Sequence, residues 1–157
     1  EAESIESVPT PVLIESAAVR ATIRDFDPPP GDGAEHPERL FALFDGDPST
    51  VWSTETYSTS EFGQLKTGVG VIVELESPRT LASLVVRSAI DDWAAMVFLT
   101  TGDPGDLAAW GPAVDEKSGV NGDGTFDLRN VRAGALLVWI TDLGADRRFE
   151  IAELELE

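Results

Sequence analysis

The chain has 157 residues, with 29 acidic against 11 basic side chains, a formal net charge of −18, 42% hydrophobic residues and no cysteine. The hydrophobic fraction supports one domain with a sizeable core and excludes a disordered tail. The negative field argues against nucleic acid and anionic membrane surfaces, both of which are bound through Lys and Arg, and the lack of cysteine excludes disulfides, thiolate zinc sites and thiol catalysis. Calcium, cationic partners and neutral sugars stay compatible with the charge, part of which serves solubility alone. No segment approaches the roughly 20 apolar residues of a membrane span, and no signal peptide is visible. The abrupt start at Glu1-Ala2-Glu3 and the finish inside a strand-like stretch are expected of a domain cut from a longer protein.

In chain order, residues 1–11 read as an acidic linker or arm and 12–157 as the domain. Val12 to Phe26 is β-prone, anchored by Val19, Ile23 and Phe26, although its alanines also suit a helix. Asp27 to Pro37 is a Pro/Gly loop carrying Asp27, Asp32 and Glu35, and it holds His36, the one histidine, read as a solvated loop residue. Pro37 to Phe44 predicts one short helix burying Leu40, Phe41, Leu43 and Phe44. Ser53 to Gly68 is a polar loop longer than the usual connection, which favours a binding role. Strands are expected over Val69–Leu75, Leu81–Ser88, Ala94–Thr100, Thr125–Leu128, Leu136–Thr141 and Phe149–Leu156. A turn at Ser77-Pro78, an irregular stretch from Gly102 to Asn121 and a hairpin turn at Asn121-Gly122-Asp123-Gly124 separate them. The sum is an all-β chain, an eight-stranded jelly-roll β-sandwich with one short helix.

Chemistry concentrates at Asp45-Gly46-Asp47-Pro48-Ser49-Thr50-Val51-Trp52. Asp-Gly and Asp-Pro both mark turns. Asp45, Asp47 and Thr50 place three oxygen-bearing side chains within six residues, the donor type that hard cations take. An Asx-type turn with no ion, its carboxylates bonded to nearby N–H groups, accounts for the same residues. Enzyme motifs are missing: there is no Gly-x-Ser-x-Gly, no His-Glu-x-x-His and no phosphate loop. With so many acids, a glycosidase-like carboxylate pair arises by chance.

From Asp45 to Trp52 the chain resembles the discoidin-like, or coagulation-factor type C, domains of the galactose-binding-like superfamily. An ordered series makes the likeness narrower: Phe26-Asp27-Pro28, Gly31-Asp32-Gly33 and Glu35; Asp45-Gly46-Asp47, Thr50 and Trp52; Tyr57; Leu65 to Gly70; Val138-Trp139-Ile140-Thr141 and Leu143; Ile151-Ala152-Glu153. Over roughly residues 14–157 it is similar to the C-terminal extracytoplasmic domain of actinobacterial membrane proteins. These include lipid II flippase-like proteins with a cytoplasmic pseudokinase, and some serine/threonine kinase relatives. The resemblance implies an eight-stranded sandwich outside the plasma membrane, reaching the membrane only through its parent chain. It also implies structural calcium joining the Asp-Gly turn to the last strand, with ligands from Asp45, Asp47, Thr50 and Glu153 and a carbonyl from Ala152. Glu153 is otherwise a solvent-facing strand residue or a partner of Arg147 or Arg148. Asp27, Asp32 and Glu35 form a second possible cluster.

Superfamily ligands usually sit on loops at one end of the sandwich, which points to Tyr57, Trp93 and Trp110 as plates, with Asp91, Asp92 and Asn121 as polar partners. Loop or core packing is the competing role for each aromatic, and the better one for Trp52 and Trp139. The expected function is a non-catalytic envelope-binding module for cell-wall glycan, lipid-linked precursor or an envelope protein. A protein-docking domain with no small ligand is the alternative, and a glycoside-active enzyme the last.

Overall fold

The computed structural model describes residues 12–15, 20–28, 35–64, 66–101 and 110–157. The arm at 1–11, Val19 and Asp32 lie outside the described residues. Nine strand segments appear among those described: β1 (Val12–Glu15), β2 (Arg20–Phe26), β3 (Trp52–Ser53), β4 (Val69–Arg87), β5 (Trp93–Thr100), β6 (Asp115–Val120), β7 (Gly124–Asp142), β8 (Glu150–Ile151) and β9 (Glu153–Leu156). All pair antiparallel, in the order β1-β2-β4-β7-β5-β6, with β9 added to β4 and a separate β3-β8 pair. The result is the β-sandwich that the alternation of the sequence called for.

Its spine is the long β4-β7 ribbon. The ribbon starts with Val69 opposite Ile140 and ends with Val86 opposite Gly124, with register shifts between Glu74 and Arg79 and between Leu81 and Ser83. Ser77-Pro78 sits in the first shift and does not turn the chain. A proline without an N–H is accommodated where the ladder is already interrupted, so the two strands expected here are one. The second shift faces Arg129 and Asn130, both with positive φ, and it merges the two strands expected in β7 in the same way. Between them the irregularities bend the ribbon, so that its Val69–Leu75 half pairs with β2 and its Leu84–Arg87 half with β9.

Both faces of the first half are buried. Val69, Val71, Val73, Leu136, Val138 and Ile140 enter the main core with Trp52, Phe62, Trp93, Phe126 and Phe149. Ile72, Leu137 and Trp139 turn the other way into a second cluster with Phe98 and Trp110. Trp52 and Trp139 are thus core residues, as expected. Two expectations need correction. The irregular region contains β6, an edge strand paired with β5. The 121–124 turn passes the chain from β6 to β7, which pairs with β4 and β5, so it does not close a hairpin. The helix Pro37–Phe44 is a 3-10 helix that buries Leu40, Ala42 and Leu43, while Phe41 points outward, 42% exposed.

Candidate functional site

The acidic turn and the last strand meet. Gly46 N donates to Glu153 Oε2 at 3.3 Å, which joins the Asp45–Asp47 turn to β9. Within the turn, Asp45 Oδ1 accepts from Asp47 N (2.9 Å) and its Oδ2 from the Thr50 hydroxyl (2.5 Å). Asp47 Oδ1 accepts both the backbone N–H and the hydroxyl of Ser49, and these bonds hold its carboxyl below its ordinary value. Glu153 has the opposite environment. Burial raises its pKa, the Gly46 N–H opposes the shift, and Asp45, Glu155 and Asp47 add to it. Its Oε1 is out of solvent and has no hydrogen-bond partner among the described residues. The donor set is therefore one unengaged glutamate oxygen beside two aspartates already closed into Asx turns. Among the described residues no group of three or more His, Asp or Glu side chains is placed to hold a metal ion. Arg148 pairs with Glu150, and Arg147 reaches the Ser58 carbonyl, so neither takes Glu153.

Beside this junction lies a groove of about 530 Å³, bounded by Gly46 and Pro48 of the turn, Arg87–Ala89, Asp123, and Ala152, Glu153 and Glu155. That volume is within the range of small-molecule clefts, roughly 300–1,000 Å³. Arg87 organises it. On the ladder it stands opposite Glu153, yet its guanidinium takes the diagonal Glu155 in a bidentate pair, Nε to Oε2 and Nη2 to Oε1, both 3.0 Å. Its Nη1 donates to Asp123 Oδ2 at 2.9 Å, and Asp123 Oδ1 accepts Ser88 N at 3.0 Å. These partners push the Arg87 pKa further up, Glu155 most strongly. Sequence reasoning missed Arg87, which carries no motif. The available signal was alternation: Arg87 takes an outward position at the end of Leu84–Arg87, as Glu153 and Glu155 do in Glu153–Leu156, so the two segments carry opposite charges.

Several loops are tied to one another by backbone hydrogen bonds. Tyr57 N donates to Arg147 O, Leu143 N to Ser60 O, Ala145 N to Asp91 O and Gly122 N to Ile90 O. Asp92 N donates to Asn121 Oδ1 at 3.0 Å. Asp91, Asp92 and Asn121 are exposed and brought together. Gly144 makes this possible: at φ +85°, an added Cβ would stand 2.5 Å from Asp91 O.

The aromatic plates are corrected. Trp93 is 0% exposed, its ring 4.7 Å from Phe149 and its Nε1 donating to Gly122 O. Trp110 is 4% exposed in the second cluster. Neither presents a face to a sugar. Tyr57 is half-buried, packed edge-on against Phe62 at 5.0 Å, and its hydroxyl is turned inward.

That hydroxyl belongs to a buried network. Tyr57 Oη donates to Glu35 Oε2 at 2.7 Å, while Lys66 Nζ donates to Tyr57 Oη at 3.0 Å and to Asp27 Oδ1 at 2.8 Å. Glu35 Oε1 accepts Glu55 N, its carbonyl accepts the Trp52 indole N–H, and its own N–H donates to Asp25 Oδ2. Asp25, Asp27 and Glu35 are all buried. Burial raises the Glu35 pKa against the bonds from Tyr57 and Glu55, with Asp27 raising and Lys66 lowering it. The Tyr57 pKa is also raised, mainly by burial, then by Glu35. Asp27 and Glu35 do form a cluster, but the cation between them is the chain's own Lys66 ammonium, which a search for acidic ligands overlooks.

No protein-family model matches the chain, and no curated protein matches it in sequence. Solved structures do match in shape. A chitosan-binding module from a chitosanase/glucanase of Paenibacillus sp. IK-5 aligns with a TM-score of 0.65 and 16% identity over 92% of this chain and 99% of its own. The module CpGH89CBM32-6 of Clostridium perfringens gives 0.61 and 10% over 87% and 92%. A GH29 fucosidase of Ruminococcus gnavus gives 0.59 and 14% over 90% of this chain, which spans only 25% of the fucosidase. The chitosan-binding module and CpGH89CBM32-6 are each matched along nearly their whole length, and the chain shares their β-sandwich fold.

Proposed function

We propose that the domain is a non-catalytic recognition module that binds a glycan of the cell envelope, outside the plasma membrane, as part of a larger membrane protein. The observation that carries the reading is the groove between the acidic turn and β9, on a fold whose full-length neighbours are binding modules. Cell-wall glycan and lipid-linked precursor are the ligand classes that the motif series favours. Retention of the full chain on peptidoglycan, together with signals on a glycan array, supports the reading. Failure of both, or hydrolysis of a bound glycan by the purified chain, overturns it. A second reading, a docking domain for an envelope protein, draws on the burial of Trp93 and Trp110, which removes the expected sugar platforms.

Calcium at the Asp45–Asp47 turn belongs to the proposal. The Glu153 Oε1, without a hydrogen-bond partner among the described residues, supports it, and the Asx-turn bonds oppose it. Asp45, Asp47, Thr50 and Glu153, with the Ala152 carbonyl, would hold the ion, which would supply charge neutralisation. At a hundredfold excess over Kd, binding would add about 2.7 kcal/mol. The expected result is a higher thermal midpoint in calcium than in chelator. Identical midpoints leave a turn closed by its own hydrogen bonds.

A further inference from the structure

The groove has no aromatic side chain among its described lining residues, so it does not recognise a sugar by ring stacking. What it offers is a fixed alternation of donors and acceptors. Arg87 has five N–H groups, of which Glu155 and Asp123 direct three. The remaining two stand beside carboxylate oxygens that keep unused lone pairs. A donor flanked by acceptors suits a pair of adjacent hydroxyls, since each hydroxyl both gives and accepts. The three side chains are accessible, 45% exposed for Arg87, 48% for Asp123 and 44% for Glu155. They are also pinned to one another by charge-assisted bonds, so a ligand meets them already ordered. Pro48, Ala89 and Ala152 supply apolar surface for ring C–H groups.

Charge narrows the class. Asp123, Glu153 and Glu155 outnumber the single Arg87 in the groove, with Asp45 and Asp47 close enough to Glu153 to raise its pKa. A sugar carboxylate or phosphate would meet repulsion there, and the one cation is already engaged. We infer that the groove takes a neutral saccharide by chelating two adjacent hydroxyls between Arg87 and its partners Glu155 and Asp123. The inference rests on the glycan-binding reading above and assigns its specificity to Arg87.

The test is titration of the full chain with lactose and with an N-acetylglucosamine tetramer as neutral probes, and with sialyllactose as the acidic one. It is repeated for Arg87→Gln, Arg87→Lys, Glu155→Gln and, as a control on the exposed side of β6 away from the groove, Glu116→Gln. A neutral probe is expected to bind, to weaken about tenfold or more in both Arg87 variants and in Glu155→Gln, and to be unchanged in Glu116→Gln. Sialyllactose is expected to bind at least about tenfold more weakly than lactose. The exposed position of Arg87 lets its variants fold, which circular dichroism checks. Glu155→Gln tests the same chelate with the arginine retained. Equal binding by wild type and Arg87→Gln overturns the inference while the glycan reading stands. Sialyllactose binding as tight as lactose overturns the neutral class. No binding of either neutral probe by wild type overturns the inference, and the glycan array then decides whether the broader reading falls with it.

Discussion

Lys66 is the residue on which the buried polar network turns. Its ammonium lies 2.8 Å from Asp27 and 3.8 Å from Glu35, and it sits 5.1 Å from the Tyr57 ring centre. Removing it leaves two buried carboxylates without their cation, the costly way of breaking such a network. Lys66→Met is expected to destabilise the domain by about 3 kcal/mol, measured by chemical denaturation. Glu35 gives a pH dependence whose sign follows from its shift. Its folded pKa is raised above the ordinary 4.5, so between those values the folded chain holds more protons than the unfolded one. Stability therefore falls as pH rises through the folded pKa and is fully recovered below 4.5. Glu153 acts in the same direction. Asp47, whose pKa is lowered from 3.8, acts oppositely and only in stronger acid. The thermal midpoint is expected to be higher near about pH 5 than near about pH 8, with a shallower slope in Glu35→Gln. Lower net charge pushes the same way in both proteins, so the difference between their slopes isolates Glu35.

At the level of elements, the strands were legible where local pattern and final environment agree. Val69–Val73 and Leu136–Ile140 lack charged residues because both faces are covered. The Ser77-Pro78 dipeptide misled because turn chemistry is local, whereas the ladder that carries β4 past it comes from β7, far along the chain. Trp93 misled for a related reason. Next to Asp91-Asp92 it has the composition of a sugar platform, but the slot that swallows its indole is opened by Gly124, where an added Cβ would stand 2.9 Å from the ring. No local signal marks that. The acidic turn does lie against β9, through the Gly46 N–H and Glu153, while Arg87, the side chain that shapes the groove, drew no attention. The loop end rests on one backbone position. Gly144→Ala would force a Cβ against Asp91 O and Ile90 at a positive φ. A loss of about 2 kcal/mol or more is expected, measured as a lower denaturation midpoint, with the spectrum of the β-core retained.

For the molecule as a whole, the bent β4-β7 ribbon has a consequence for how the sandwich comes apart. The β4 backbone hydrogen-bonds to β2 on one stretch and to β9 on the other, with β7 paired beside it along both. Neither layer owns its central strands, so peeling one away tears the ladder that supports the other. Opening is therefore all-or-none, and the groove beside β9 inherits the rigidity of the sheet across the core from it. A ligand gripped at that edge would be felt as slower amide exchange in strands it never touches.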